Sequence, residues 1–132
     1  QLRYTALGKP YAPGFPEFSI AHSGAWVVCA LAAVGRIGID VEAVLAGSRR
    51  AVLAAWTTKE ATLKAAGARL QDFPQVQLRG SRVHFQDQRW YCRAPTLSAD
   101  TIVRVVSSVP ITRLRMRTIP AGRVVAWQEA LG

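Results

Sequence analysis

At 132 residues and 14.4 kDa the chain has the size of one domain, and it can bury a core without metal or disulfide staples. Half of its residues are apolar and 19% are charged, which excludes wholesale disorder, and no apolar run approaches the roughly 18 residues of a membrane span. Two cysteines, Cys29 and Cys92, exclude a disulfide scaffold, and two thiols do not complete a four-ligand zinc site. The expected setting is the reducing cytoplasm.

Residues 1–16 hold Gly8, Pro10, Pro13, Gly14 and Pro16 and read as loop-rich. Phe18–His22 alternates like a strand, Ser23-Gly24 turns, and the apolar run Trp26–Ala33 reads as a buried strand paired with it. Gly35-Arg36 turns again, and Ile37–Val41 predicts a third strand with Ile39 and Val41 on one face. Residues 47–66 are rich in Ala and Leu and predict a helix, broken or kinked near Trp56-Thr57 and stopped at Gly67. Short apolar runs follow at 76–78, 83–85, 90–92, 101–109, 111–117 and 123–127, the pattern of an antiparallel meander. The fold class is therefore α+β, an antiparallel sheet packed by one main helical segment. No repeat, linker or low-complexity tract divides the chain, so residues 1–132 read as a single domain.

The net charge is +9, with 17 basic residues of which 14 are Arg. Such a surface steers polyanions toward it: nucleic acid, a phosphorylated cofactor or an acidic protein. Arg113, Arg115 and Arg117 alternate with Leu114 and Met116 and predict a basic stripe on an edge strand.

Five places carry residues with chemical potential. Asp40 and Glu42 lie two apart on a strand and share a face, either a solvated face or a pair of hard oxygen ligands for Mg²⁺. Thr57-Thr58-Lys59-Glu60 fits a capping box, with Thr57 as N-cap, Glu60 reaching back and Trp56 as a hydrophobic staple. Lys64 follows Glu60 by four residues, which places carboxylate and ammonium on one helical face, while Lys59 points elsewhere. His22 reads as a core-edge histidine or, with Ser23 and the Gly24 backbone, as a phosphate donor. Gly8-Lys9-Pro10 reads as a turn carrying an extended Lys9.

Taken in order, Gly8-Lys9-Pro10, Phe18-Ser19-Ile20-Ala21-His22-Ser23, Gly38-Ile39-Asp40-Val41-Glu42 and Trp56-Thr57-Thr58-Lys59-Glu60-Ala61-Thr62-Leu63-Lys64 form a pattern over roughly residues 8–70. It resembles the 4′-phosphopantetheinyl transferases of the larger, surfactin-synthetase-activating (Sfp-type) class. The resemblance implies a half-fold of that pseudo-twofold family: the end of a first repeat over 1–35 and a shortened second repeat over 36–132. It also implies an activity, the Mg²⁺-dependent (or Mn²⁺-dependent) transfer of the phosphopantetheine arm of coenzyme A to a serine of an acidic acyl or peptidyl carrier protein, with release of 3′,5′-ADP. On this chain Asp40, Glu42 and Glu60 would hold the metal. Lys9, His22, Ser23 and Lys59 would contact the coenzyme. Lys64 would neutralise or protonate the departing phosphate, and Glu60, directly or through a water it orients, would take the serine proton.

Measured against that family, Ala21 stands in place of a hydroxyl residue, and only 13 residues separate Glu42 from Trp56. The chain looks N-terminally incomplete: it reads as a piece of a longer protein, a compact variant that completes its site as a homodimer, or an inactive relic. The other classes that the charge admits are a basic nucleic-acid-binding module and a catalytically inactive carrier-protein binder. The first has no groove-reading motif here, so nucleic acid is the less expected partner, and no membrane is expected.

Overall fold

The computed structural model describes residues 1–120. Two short strands, β1 (Arg3–Tyr4) and β2 (Pro10–Tyr11), pair within the loop-rich start. The strands β3 (Glu17–Ser23) and β4 (Trp26–Ala32) form an antiparallel hairpin closed by Gly24 and Ala25. Next come β5 (Ile37–Ala43) and helix α1 (Arg50–Ala66). A 3₁₀ helix over Leu70–Gln75 then leads into β6 (Gln77–Arg79), β7 (Arg82–Phe85), β8 (Gln88–Arg93) and β9 (Thr101–Ser107). The last five strands form one antiparallel sheet in the order β5-β9-β8-β7-β6, so the expected α+β class with a single main helix is the observed one.

Strand β5 positions everything that matters here. It is an edge strand, yet all its residues from Ile37 to Val41 are buried, because both of its faces are covered. Ile37, Ile39 and Val41 point one way, into a cluster with Val103, Val105 and Ala21, against which Val28, Ala30 and Ala32 of the hairpin pack. Gly38, Asp40 and Glu42 point the other way, toward α1. A methyl group built on Gly38 would sit 2.0 Å from Ala61 O and 2.4 Å from Ala65 N, so only a hydrogen side chain lets the helix lie this close to the strand. The open edge of β5 is flanked by β3, where Ser19 Oγ accepts a hydrogen bond from Ile39 N at 3.1 Å.

A second cluster fills the space between α1 and the far strands, with Leu63, Ala65, Val76, Val83, Phe85, Trp90 and Val106. Trp90 is fully buried and satisfies its indole by donating to Phe85 O at 3.0 Å.

The helix is continuous through Trp56-Thr57, which corrects the expected break and the expected capping box. Thr57 Oγ1 donates to Leu53 O at 2.6 Å, one turn back, and Thr58 and Thr62 repeat the pattern to Ala54 O and Thr58 O. A hydroxyl engaged with the preceding turn fits mid-helix as readily as an N-cap, so sequence pattern alone does not separate the two. Trp56 is correspondingly no staple: it is exposed and packs against Phe73, with ring centroids 4.5 Å apart and planes tilted by 41°. The stop at Gly67 is observed. Gly67 is left-handed (φ 65°), its N–H bonds Lys64 O, and Ala68 N–H bonds Leu63 O, the two bonds of a Schellman cap.

The expected strand over 111–117 is absent. Ile111 and Leu114 instead pack onto the β5–β9 cluster, while Arg113, Arg115 and Arg117 are exposed on irregular backbone. Anchors three residues apart serve a segment lying across a sheet, and alternation within it gave a false period of two. The expected run at 123–127 lies outside the described residues. No helix among them is long and apolar enough to cross a membrane.

Candidate functional site

Because Gly38 seats α1 directly on β5, the next two residues on that strand face meet the next turns of the helix. Asp40 Oδ1 accepts from Lys64 Nζ at 3.3 Å, and the same ammonium donates to Ile20 O on β3, also at 3.3 Å. Glu42 lies one strand repeat further along, and Glu60 one helical turn before Lys64. The result is three carboxyl groups and one ammonium at the seam between strand and helix. This is not the expected picture of an i,i+4 pair, since Lys64 turns to Asp40 rather than to Glu60. It also overturns two local readings. Asp40 is only 7% exposed, so its part of the strand face is not solvated, while Glu42 is half-buried. Glu60 lies in the middle of α1, so no helix N-terminus contributes to the site.

The electrostatics are those of a cluster short of positive charge. Burial holds Asp40 above its ordinary carboxylate range; Lys64 pulls it back and Glu60 raises it further. Burial likewise raises Glu42, with the Asp40 charge adding to it. Glu60 is raised by burial and by Glu42, against Lys64. Arg104 stands opposite Asp40 in the β5–β9 register, but its guanidinium bonds Val103 O and brings no relief. Asp40 Oδ2 is buried with no hydrogen-bond partner. A buried acceptor without a donor is costly, and either a proton shared with the neighbouring Glu42 carboxyl or a cation would satisfy it. Among the described residues no three His, Cys, Asp or Glu side chains stand together as a metal site.

The other anticipated residues lie around this seam. His22 is exposed and Ser23 half-buried at the end of β3, two and three residues beyond the carbonyl that Lys64 holds. Lys59 points away, its ammonium 5.1 Å from the Phe73 ring. Lys9 is engaged internally: it pairs with Glu17 and donates to Ile37 O and Ala65 O, so all three of its donor hydrogens are taken. Burial lowers its pKa despite Glu17. Arg36 joins it at the helix end by donating to Ala66 O. Two cations on the last carbonyls of α1 complement the negative end of the helix dipole.

Gly38, Ser19 and Glu17 carry structural duties that reading the sequence did not assign. A glycine inside a strand pattern is a recognised sign of close backbone approach, so Gly38 was findable. Ser19 and Glu17 gave no signal, because each is defined by a partner 20 and 8 residues away.

Fold and site together define an α+β domain with an acidic, lysine-bearing seam beneath its main helix. No family model matches the chain. It is similar to a 4′-phosphopantetheinyl transferase of Bacillus subtilis, with 49% identity over 43 residues. That stretch is 31% of this chain and 19% of the relative, so the match spans less than a fifth of the protein it resembles. This local similarity supports kinship with the phosphopantetheinyl transferase superfamily.

Proposed function

We propose that the chain carries the acidic half of a transferase that moves the phosphopantetheine arm of coenzyme A onto a serine of a carrier protein. The observation that carries this reading is the seam itself: Asp40 paired with Lys64, with one of its carboxylate oxygens buried and unpartnered, and Glu42 and Glu60 close enough to act on its charge. Asp40, Glu42 and Glu60 would hold a divalent cation, whose bound charge would offset that of the coenzyme diphosphate.

In the reaction the serine Oγ forms a new bond to the phosphorus next to the pantetheine arm, and the bridging P–O bond breaks to release 3′,5′-ADP. Displacement at phosphorus needs its developing negative charge stabilised and its partners held in line. Glu60 accepts the serine proton. Lys64 donates to the departing phosphate, and its bond to Ile20 O keeps it placed on the β3 side of the seam. His22 and Ser23 extend that side toward the rest of the nucleotide. Lys9 and Arg36 hold the end of α1, and through it the relative placement of strand and helix.

The test is to incubate the chain with coenzyme A, Mg²⁺ and an apo carrier protein and weigh the carrier. The expected result is the mass gain of one phosphopantetheine arm, lost with Asp40→Ala. No gain, with the carrier still retained by the chain, overturns the reading in favour of an inactive binder.

A further inference from the structure

Gly38 seats the second half of α1 on β5, and beneath the first half a cleft of about 320 Å³ remains. The helix lines it with Ala54, Ala55 and Thr58, small side chains that leave the gap unfilled. The sheet lines it with Leu78, Val83 and Cys92, from β6, β7 and β8. At the β9 end it meets Arg104, which also lines an adjoining cleft of about 230 Å³ with Arg50 and Ala54. Both walls, α1 and the five-stranded sheet, are among the described residues, so the cleft is defined without the hairpin or whatever adjoins it. Protein interiors normally fill such a space, and one left open beside a cation is the shape of a ligand site.

Arg104 gives the cleft its chemistry. It is half-buried, and its register partner on β5 is Asp40, whose Oδ2 lacks a donor. The guanidinium nevertheless lies on the cleft side. It donates to Val103 O at 2.9 Å, and its charge, with the Thr58 hydroxyl, draws the Cys92 thiol back from the rise that burial imposes. Arg50 at the mouth donates to Ala99 O at 3.2 Å. Among the described residues neither arginine forms an ion pair.

We propose that this cleft binds a monocarboxylate on an unbranched apolar chain, its head on Arg104 and its tail beneath α1 across β8 and β7. Charge selects the head. One half-buried guanidinium balances one carboxylate, which it grips through parallel N–H donors. A phosphate monoester brings nearly two negative charges and would leave one in excess. The lining selects the tail. Beyond Arg104 the walls of the larger cleft carry no charged side chain. From β9 to β7 the sheet measures about 10 Å at the usual spacing of neighbouring strands, which sets the length of tail that is covered. The site is independent of the transfer proposed above.

Calorimetric titration of the full chain with decanoate, below the concentration at which it forms micelles, tests this. Acetate supplies the head alone and decanol the tail alone. The expected result is one decanoate per chain, with both fragments binding far more weakly. Arg104→Gln should weaken decanoate by about tenfold or more. Ala55→Leu, which fills the cleft from the helix, should weaken it too. In Cys29→Ser, where Cys92 is the one thiol left, bound decanoate should slow the reaction of Cys92 with a maleimide. The absence of binding overturns the proposal. So does binding that both substitutions leave unchanged, decyl phosphate binding more tightly than decanoate, or a Cys92 labelling rate that ignores decanoate. Should either substitution unfold the chain, protection of Cys92 in the unaltered cleft decides alone.

Discussion

At the scale of single residues, Gly38 and Asp40 carry opposite kinds of constraint. Gly38 is required by space. An Ala there meets Ala61 O at 2.0 Å, and backbone cannot swing aside as a side chain would. Gly38→Ala should therefore lower the unfolding free energy by about 1–3 kcal/mol, measured by urea denaturation, or prevent folding altogether. Asp40 is constrained by charge. Its ionised form is disfavoured by burial more than Lys64 favours it, and one oxygen lacks a partner. Asp40→Asn keeps the shape and removes the charge. The metal-free variant should match or exceed the parent in thermal midpoint. Mg²⁺ at about ten times its dissociation constant should stabilise the parent by about 1.4 kcal/mol and leave the variant unmoved. A parent whose midpoint ignores Mg²⁺ would remove the metal from the proposed site.

At the scale of elements, the end of α1 is where the N-terminal third is fastened to the sheet and helix. Lys9 joins Glu17, Ile37 O and Ala65 O, touching β3, β5 and α1 at once. Lys9→Met keeps much of the stem but leaves a carboxylate and two carbonyls without their donor. It should cost about 1–3 kcal/mol in urea denaturation. Because those contacts align strand with helix, it should also weaken Mg²⁺ binding without touching the metal; unchanged Mg²⁺ affinity would show that the clasp and the seam are uncoupled.

The elements also show what was readable in advance. The hairpin and β5 follow from runs of alternating or continuous apolar residues bounded by Gly, and the helix stop follows from Gly67. The interior of α1 was not readable, because Thr57 bonds equally well to a preceding carbonyl or a following N–H. The 111–117 segment misled because exposed Arg alternating with Leu114 and Met116 mimics a strand that has no neighbour to pair with.

At the scale of the whole molecule, charge and topology act separately. The exposed Arg113, Arg115 and Arg117 add to a net charge of +9 on a body whose acidic seam lies beneath its helix. Replacing all three with Ala should leave stability within about 0.5 kcal/mol per site. It should also slow association with an acidic carrier protein, an effect that fades as added salt shortens the Debye length to about 8 Å and below. Stopped-flow association at two ionic strengths checks both parts. The amino-acid order alone determined the α+β class, the main helix and the identity of the acidic residues at 40, 42 and 60, because period, glycine placement and side-chain chemistry are local properties. Only the tertiary structure decided that Lys64 answers Asp40 and that Lys9 is occupied within the fold. Each of those depends on chain segments far apart in sequence coming within a few ångströms, a distance that no local pattern encodes.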